Sequence, residues 1–241
     1  MEKYLSDIIT DVRTTIDDIA ANDAEFADEQ DFSELGTIVR SKLCEAVDYV
    51  HGAANMERMK GDAAVIKDGT ADSSGDVEIE VEDMLRFCYA KVSQWKKSVT
   101  EYVLYGSTEH TAAMDEYAGA SIYRPAVILI PSWRDGQAIK GKKLMLVPGG
   151  ENQTGEVCYI KKCEIMTEEV EPEEETSEVE DSSENDTTEE QESNVEYVVV
   201  DGGLYEAMIN YLSGLVLMVM NDNRGENLIA LAKNEIGAET K

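Results

Sequence analysis

Across residues 168–192, 14 of 25 positions are Asp or Glu and none is Lys or Arg. No aromatic residue appears until Tyr197. Such a stretch cannot bury enough apolar area to offset the cost of ordering its backbone. It reads as an acidic low-complexity loop over 167–194, disordered or extended in isolation. The folded parts must close around it. Glu156-Val-Cys-Tyr-Ile160 before it and Glu196-Tyr-Val-Val-Val200 after it are strand-like. If the strands flanking the run pair, it is a loop at a hairpin end that projects from the domain rather than dividing it.

The net charge of the 241 residues is −30. Removing the run still leaves an acidic chain, within the range of a soluble folded domain. Such a surface argues against wrapping DNA, which needs clustered Lys and Arg. The N-terminus, MEKYLSDII, is charged and amphipathic, unlike a signal peptide. No apolar run approaches the roughly 20 residues that span a bilayer. A reducing cytoplasm is the expected site of synthesis, and the four cysteines, Cys44, Cys88, Cys158 and Cys163, are scattered.

The spacing predicts an α+β domain over 1–241, with helices at both ends around a small, mainly antiparallel sheet. Helices are expected over 2–20 and 32–50 within an N-terminal part, 1–52, with 22–31 as a loop between them. Residues 53–75 carry too many glycines and serines to assign. A β-rich part spans 76–166 and 195–200. Its strands are expected at 77–81, 84–95, 126–130, 143–147 and 156–160. In 84–95, Leu85, Phe87 and Tyr89 alternate with Arg86, Cys88 and Ala90. Residues 101–123 read as irregular, with a short helix near Val103. A C-terminal helical hairpin follows over 201–237. Asp201 is placed to cap its first helix, and Gly237 ends the second. From Leu212 to Met220 the apolar residues wrap most of the helix, so its own domain or a neighbouring subunit must cover it.

Chemical motifs are sparse. Cys158 and Cys163 would face opposite ways on one strand, and neither His51 nor His110 is near them in sequence, so two ordinary buried thiols are expected rather than zinc ligands. His51, at a helix end, suits a capping or surface role. Gly149 and Gly150 lead into Glu151 and strand rather than a helix N-terminus, so no phosphate loop is expected. Asn221-Asp-Asn-Arg-Gly225 lacks the first carboxylate of a calcium loop. Trp95 beside Lys96 and Lys97 suggests either a nucleic-acid contact or, more simply, a strand end. No metal, cofactor or catalytic residue is assigned.

Two stretches carry a resemblance. Tyr211-Leu-Ser-Gly-Leu-Val-Leu-Met-Val-Met-Asn-Asp-Asn-Arg-Gly225 and the helix after it resemble the helical end of head–tail connector (adaptor) proteins of tailed bacteriophages. Met84-Leu-Arg-Phe-Cys-Tyr-Ala-Lys-Val-Ser-Gln-Trp95 with the following KKSV, and Tyr123-Arg-Pro-Ala-Val-Ile-Leu-Ile130, resemble ring proteins of crAss-like phages. Leu85, Arg86, Trp95, Val99, Arg124 and Pro125 carry that likeness. It covers about half of the chain.

The resemblance implies a virion structural protein rather than an enzyme. It implies a homo-oligomeric ring, typically of twelve copies, in the phage neck. Its partners would be the portal protein on one side and a further ring or tail protein on the other. DNA would pass through the channel without specific binding, and no membrane is involved. Leu212, Leu215, Leu228, Ile229 and Ile236 are the expected subunit or portal contacts, weighed against plain core packing. The alternative is an acidic monomeric binding module, such as a nucleic-acid mimic. A hydrolase using carboxylates that the sequence does not single out is a third reading.

Overall fold

A helix that is apolar around most of its circumference must be covered on several sides, and α4 (Tyr205–Val219) is. The computed structural model describes residues 1–20, 29–71, 75, 77–131, 133–134, 137–138, 141–170 and 193–237. The chain is α+β. Where the sequence suggests one domain, the fold resolves into two compact units, Met1–Lys60 with Cys163–Lys241, and Gly61–Lys162.

The first unit is built on α4. Helices α1 (Leu5–Ala20) and α2 (Glu29–Ala53) pack on it, and α5 (Arg224–Glu235) folds back along it. Met208, Leu212, Val216 and Leu217 of α4 share a core with Ile8 and Val12, with Val39, Leu43 and Val47, and with Leu228 and Ile236. Burying each large aliphatic side chain here is worth about 1.5–3 kcal/mol. The unit's own helices therefore cover α4, and no second subunit is needed to do so. Tyr49 of α2 stacks on Tyr211 at 4.3 Å between ring centres, and the Tyr205 hydroxyl donates to Asp11 at 2.6 Å.

The α4–α5 hairpin is tight because two glycines meet. A Cβ on Gly214 would lie 2.6 Å from Ile229 Cγ1 and 2.8 Å from the Gly225 carbonyl oxygen. One on Gly225 would lie 2.5 Å from the Gly214 carbonyl oxygen. Backbone, which cannot swing away, fills both spaces.

Residues 2–4, expected to open the first helix, form a strand instead. β1 (Glu2–Tyr4) pairs antiparallel with the strand before α4, Ser193–Val199, which pairs on its other side with Met166–Val170. Met1 and Val200 extend that ladder: the Val200 N–H donates to the Met1 carbonyl at 2.8 Å, and the Met1 ammonium donates to the Val200 carbonyl at 2.9 Å. Sheet bonds thus satisfy groups that a helix start would leave unpaired. The acidic run is narrowed from both ends, since 167–170 and 193–194 lie in these paired strands. Residues 171–192 lie outside the described residues. These strands join the first unit, not the central sheets as expected. Helix α2 begins at Glu29 and passes through Gly52, where the sequence suggests an end; most of the expected 22–31 loop lies outside the described residues.

The second unit holds two sheets. β2 (Ala64–Thr70), β10 (Thr154–Lys161) and β4 (Met84–Val92) form one, in that order. β3 (Val77–Glu80), β9 (Lys143–Val147), β6 (Ala126–Ile130) and β5 (Val103–Leu104) form the other. β5 runs parallel to β6, and every other pair is antiparallel. A six-residue helix, α3 (Thr108–Ala113), follows β5, so Val103, near which a short helix is expected, lies in a strand and the helix starts five residues later. Val77, Ile79, Leu144 and Leu146 share one core with Phe87, Val92, Val157 and Tyr159. A further small hairpin pairs β7 (Trp133–Arg134) with β8 (Gln137–Ala138).

β4 does not alternate as its sequence suggests. Cys158 faces Tyr89 and Tyr159 faces Phe87, so Cys88 is an extra residue; Ile160 faces Arg86 and Lys161 faces Met84, so Leu85 is another. Each bulge reverses the parity of the strand. Met84, Phe87, Ala90 and Val92 consequently all point inward.

His51 and Asp201 depart furthest from expectation. Both are buried, at 1 % and 0 % exposure. His51 Nε2 accepts the Asp201 backbone N–H at 3.1 Å, so His51 is neither a cap nor a surface group. The Asp201 carboxylate does not cap α4. It accepts the N–H groups of Lys60 and Gly203, each at 2.9 Å, and ties the segment after α2 to the segment before α4. Burial holds the His51 pKa below its usual value, against the opposing pull of Asp201 and Asp48.

Gly214→Ala and Gly225→Ala should each destabilise the protein by about 1–3 kcal/mol, read from the urea midpoint. A histidine with a lowered native pKa binds its proton more readily when unfolded, so its stabilisation is complete above about pH 6.5 and is lost as pH falls through the folded value. The urea midpoint should therefore drop between about pH 7.5 and 5.5, and His51→Gln should flatten that drop.

Candidate interaction surfaces

The expected contact residues divide by burial. Leu212 and Ile236 are fully buried and Leu228 is 6 % exposed, all within the core of the first unit. They are closed to a partner while that unit is folded. Leu215 and Ile229 are half-buried. Leu215 packs against the core, and Ile229 faces Gly214.

The exposed apolar residues are others. Met218, Val219 and Met220 follow one another at the end of α4, each 41–48 % exposed, and Leu231 on α5 is 46 % exposed. Beside the end of α4, Asp222 receives the Arg224 backbone N–H at 2.9 Å and its Nε at 2.8 Å, so this turn carries a self-neutralised pair. The signal was present in Met-Val-Met-Asn, but helical periodicity treats every apolar residue of the run as core.

The family-like residues gather at two places in the second unit. Leu85 and Arg86 lie at the start of β4. With Thr100, Glu101 and Tyr102 they line an open groove of about 370 Å³. Trp95 lies beyond the other end of β4, 8 % exposed, with its indole N–H donating to the Pro148 carbonyl at 2.8 Å. It is a structural anchor and has no ring face free for a base. The next residue, Lys96, donates its backbone N–H to Ile122 at 3.0 Å. That bond sets Lys96 and Lys97 against the turn holding Arg124, which is closed by two backbone bonds between Ser121 and Arg124. Pro125 then leads into β6. Trp95 and Arg124, nearly 30 residues apart, thus belong to one corner.

A second cleft, of about 520 Å³, lies on the β2–β10–β4 sheet among Asp68, Thr70, Lys91, Ser93 and Glu156. Glu156 receives the Tyr89 hydroxyl at 2.7 Å and pairs with Lys91 at 3.0 Å. These partners hold its carboxyl below its usual pKa. Asp83, bonded to the buried Tyr159 and facing Lys67, is also lowered. Both are stabilised as carboxylates, the opposite of what a general acid at neutral pH requires.

The cysteines are not scattered in space. Cys88 lies beside Cys158 across β4 and β10, and Cys163, beyond the end of β10, lies beside Cys44 of α2. All four are free thiols. Burial, with the neighbouring thiol, pushes Cys88 up to about 11 and raises Cys163 as well. Among the described residues no group of three His, Cys, Asp or Glu side chains is placed to hold a metal ion, and no helix is long and apolar enough to cross a membrane.

The raised pKa leaves Cys88 with little thiolate at neutral pH. In the folded protein it should react with iodoacetamide at least about tenfold more slowly than an unstructured peptide thiol, by peptide mapping; urea should abolish the difference. Comparison with known proteins found neither a family model nor a curated sequence that matches this chain.

Proposed function

We propose that this chain is a structural subunit of a phage neck, forming an oligomeric ring between portal and tail that continues the DNA exit channel. The observation that carries this reading is the exposed apolar end of α4. Met218, Val219 and Met220 belong to no core of their own unit, although the other large apolar residues of the same helix lie in that core or pack against it. Three consecutive large apolar side chains beside a neutral turn suit a protein contact. Methionine, flexible and polarisable, suits an irregular partner surface such as a portal. The resemblance of residues 84–99, 123–130 and 211–236 to connector and ring proteins supplies the identity of that partner.

Charge supports the second half of the proposal. With a net charge of −30, the subunit repels phosphate, so DNA slides past an acidic lining without sticking. The acidic run, carried between paired strands of the first unit, would then face the channel. An assembled ring with that run turned outward would remove the lining role.

Peptide mass spectrometry of DNA-filled virions tests the proposal, with this chain quantified against the portal protein. A ratio near one to one is expected for matched rings. Absence from the particle would overturn it in favour of an acidic module acting in the cell as a single copy.

A further inference from the structure

The two units share the charge very unequally. Residues 61–162 hold 12 Lys and Arg against 15 Asp and Glu, a net of −3; the other unit carries −27. Two copies meeting through their first units would repel one another. The second unit is the surface a like-charged copy can approach.

One corner of it is built to receive acid. Lys96, Lys97, Tyr123 and Arg124 are all exposed, Tyr123 at 68 %. The backbone beneath them is fixed. Trp95 is anchored to Pro148, Lys96 N–H is bonded to Ile122, and the 121–124 turn is closed by two hydrogen bonds. Elsewhere in this unit Lys67, Lys91 and Lys143 each pair with a carboxylate. No carboxylate among the described residues pairs with Lys96, Lys97 or Arg124. The nearby Asp115 is engaged in its own turn, receiving the N–H groups of Tyr117 and Ala118 at 2.9 and 2.7 Å. Three ammonium and guanidinium groups and a phenol are all hydrogen-bond donors, and the guanidinium can grip a carboxylate with two bonds.

We infer that the Lys96–Lys97–Tyr123–Arg124 corner docks the acidic run, residues 171–192, of a second copy of this chain. The contact deepens the ring reading, because every copy would give one run and receive another. Such a contact is head-to-tail, the kind that closes into a ring. Charge complementarity selects this occupant. The run supplies 12 carboxylates without a single cation, so a few can bind the corner while the rest stay free to line the channel, and it joins bodies that without it still carry −15 each (−27 + 12). Nucleic acid fits less well. A duplex is held through about 6–10 phosphate contacts, and this corner has three cations on a chain whose remaining charge repels polyanions that come within about 8 Å of it.

The test uses the full chain and two variants in sedimentation velocity. One is Lys96→Glu/Lys97→Glu/Arg124→Glu, which keeps the run. The other replaces residues 171–192 by Asn-Gly, closing the hairpin where Val170 pairs with Ser193, and keeps the corner. Wild type should associate reversibly at about 50 mM NaCl and at least about tenfold more weakly at about 300 mM. Each variant alone should be monomeric. Their equimolar mixture should form one-to-one dimers that grow no further, since only one run and one corner remain. A mixture that stays monomeric overturns the inference, as does a wild type that stays monomeric at low salt. Wild-type oligomers unchanged in both variants would also overturn it, while leaving the ring reading intact. Binding of a single-stranded DNA 30-mer by wild type, lost in the triple variant, would assign the corner to nucleic acid instead.

Discussion

The first unit depends on how closely α5 can lie against α4. At ordinary helix spacing a layer of side chains separates the backbones. Here Gly214 and Gly225 remove that layer, and each backbone fills the space a side chain would occupy. The close approach brings Leu228 and Ile236 into the core that α1 and α2 complete. It also lets the end of α5 reach the segment after α2, where Asn55 donates its N–H to the Ile236 carbonyl at 2.9 Å and Arg58 donates to the Glu235 carbonyl. Lys60, two residues on, is held by Asp201 at the entry to α4. A single tight crossing therefore closes a circuit from α4 through α5 and the end of α2 back to α4.

His51 belongs to the same circuit. It is buried because its partner is a backbone N–H, which a neutral imidazole satisfies through one nitrogen. An unpaired N–H at that depth would cost about 1–3 kcal/mol, so the residue is held in place by the group it accepts from. Asp201 is tolerated in the core for a related reason: its carboxylate takes two backbone donors that would otherwise be stranded.

Much of this was legible in the sequence, and the exceptions share a cause. Strands with clean alternation or full burial, such as Val77-Glu-Ile-Glu80 and Ala126-Val-Ile-Leu-Ile130, lie where the pattern puts them. The helices α1, α4 and α5 follow their apolar spacing closely. What failed were features set by distant partners. Glu2-Lys-Tyr4 is a strand because a ladder nearly 200 residues away receives it. β4 breaks its alternation because β10 imposes two bulges. His51 and Asp201 looked like terminal polar residues because each was read against its own helix alone. The pairing of Cys88 with Cys158 and of Cys44 with Cys163 had no local signal. For the expected contact residues, the alternative of core packing holds for three of the five. Leu212, Leu228 and Ile236 stood out because they are strongly apolar and periodic, which is the signature of a core. The residues left outside, Met218 to Met220, differ from them only by lying at the helix end.

The same separation of local from distant information governs the electrostatics. A chain of −30 looks uniformly repulsive when only its sum is known. Once the chain is partitioned into units, nearly all the excess lies with one, and the other is close to neutral with its cations individually placed. Lys91 and Lys143 pair with Glu156 and Glu78 on neighbouring strands, and Lys67 pairs with Asp83 in the turn before β4. Exposed pairs like these contribute about 0–1 kcal/mol each, so stability alone gives little reason to spend a cation on them or to withhold one. Leaving Lys96, Lys97 and Arg124 without a carboxylate partner among the described residues therefore costs the fold almost nothing. Their position on a backbone corner fixed by the Trp95 anchor and the Ser121–Arg124 turn makes them a surface whose sign is opposite to that of the whole protein. In an acidic chain, such a reversal is where association between like molecules meets the least repulsion, because screening confines the opposing field of the remaining charge to about 8 Å.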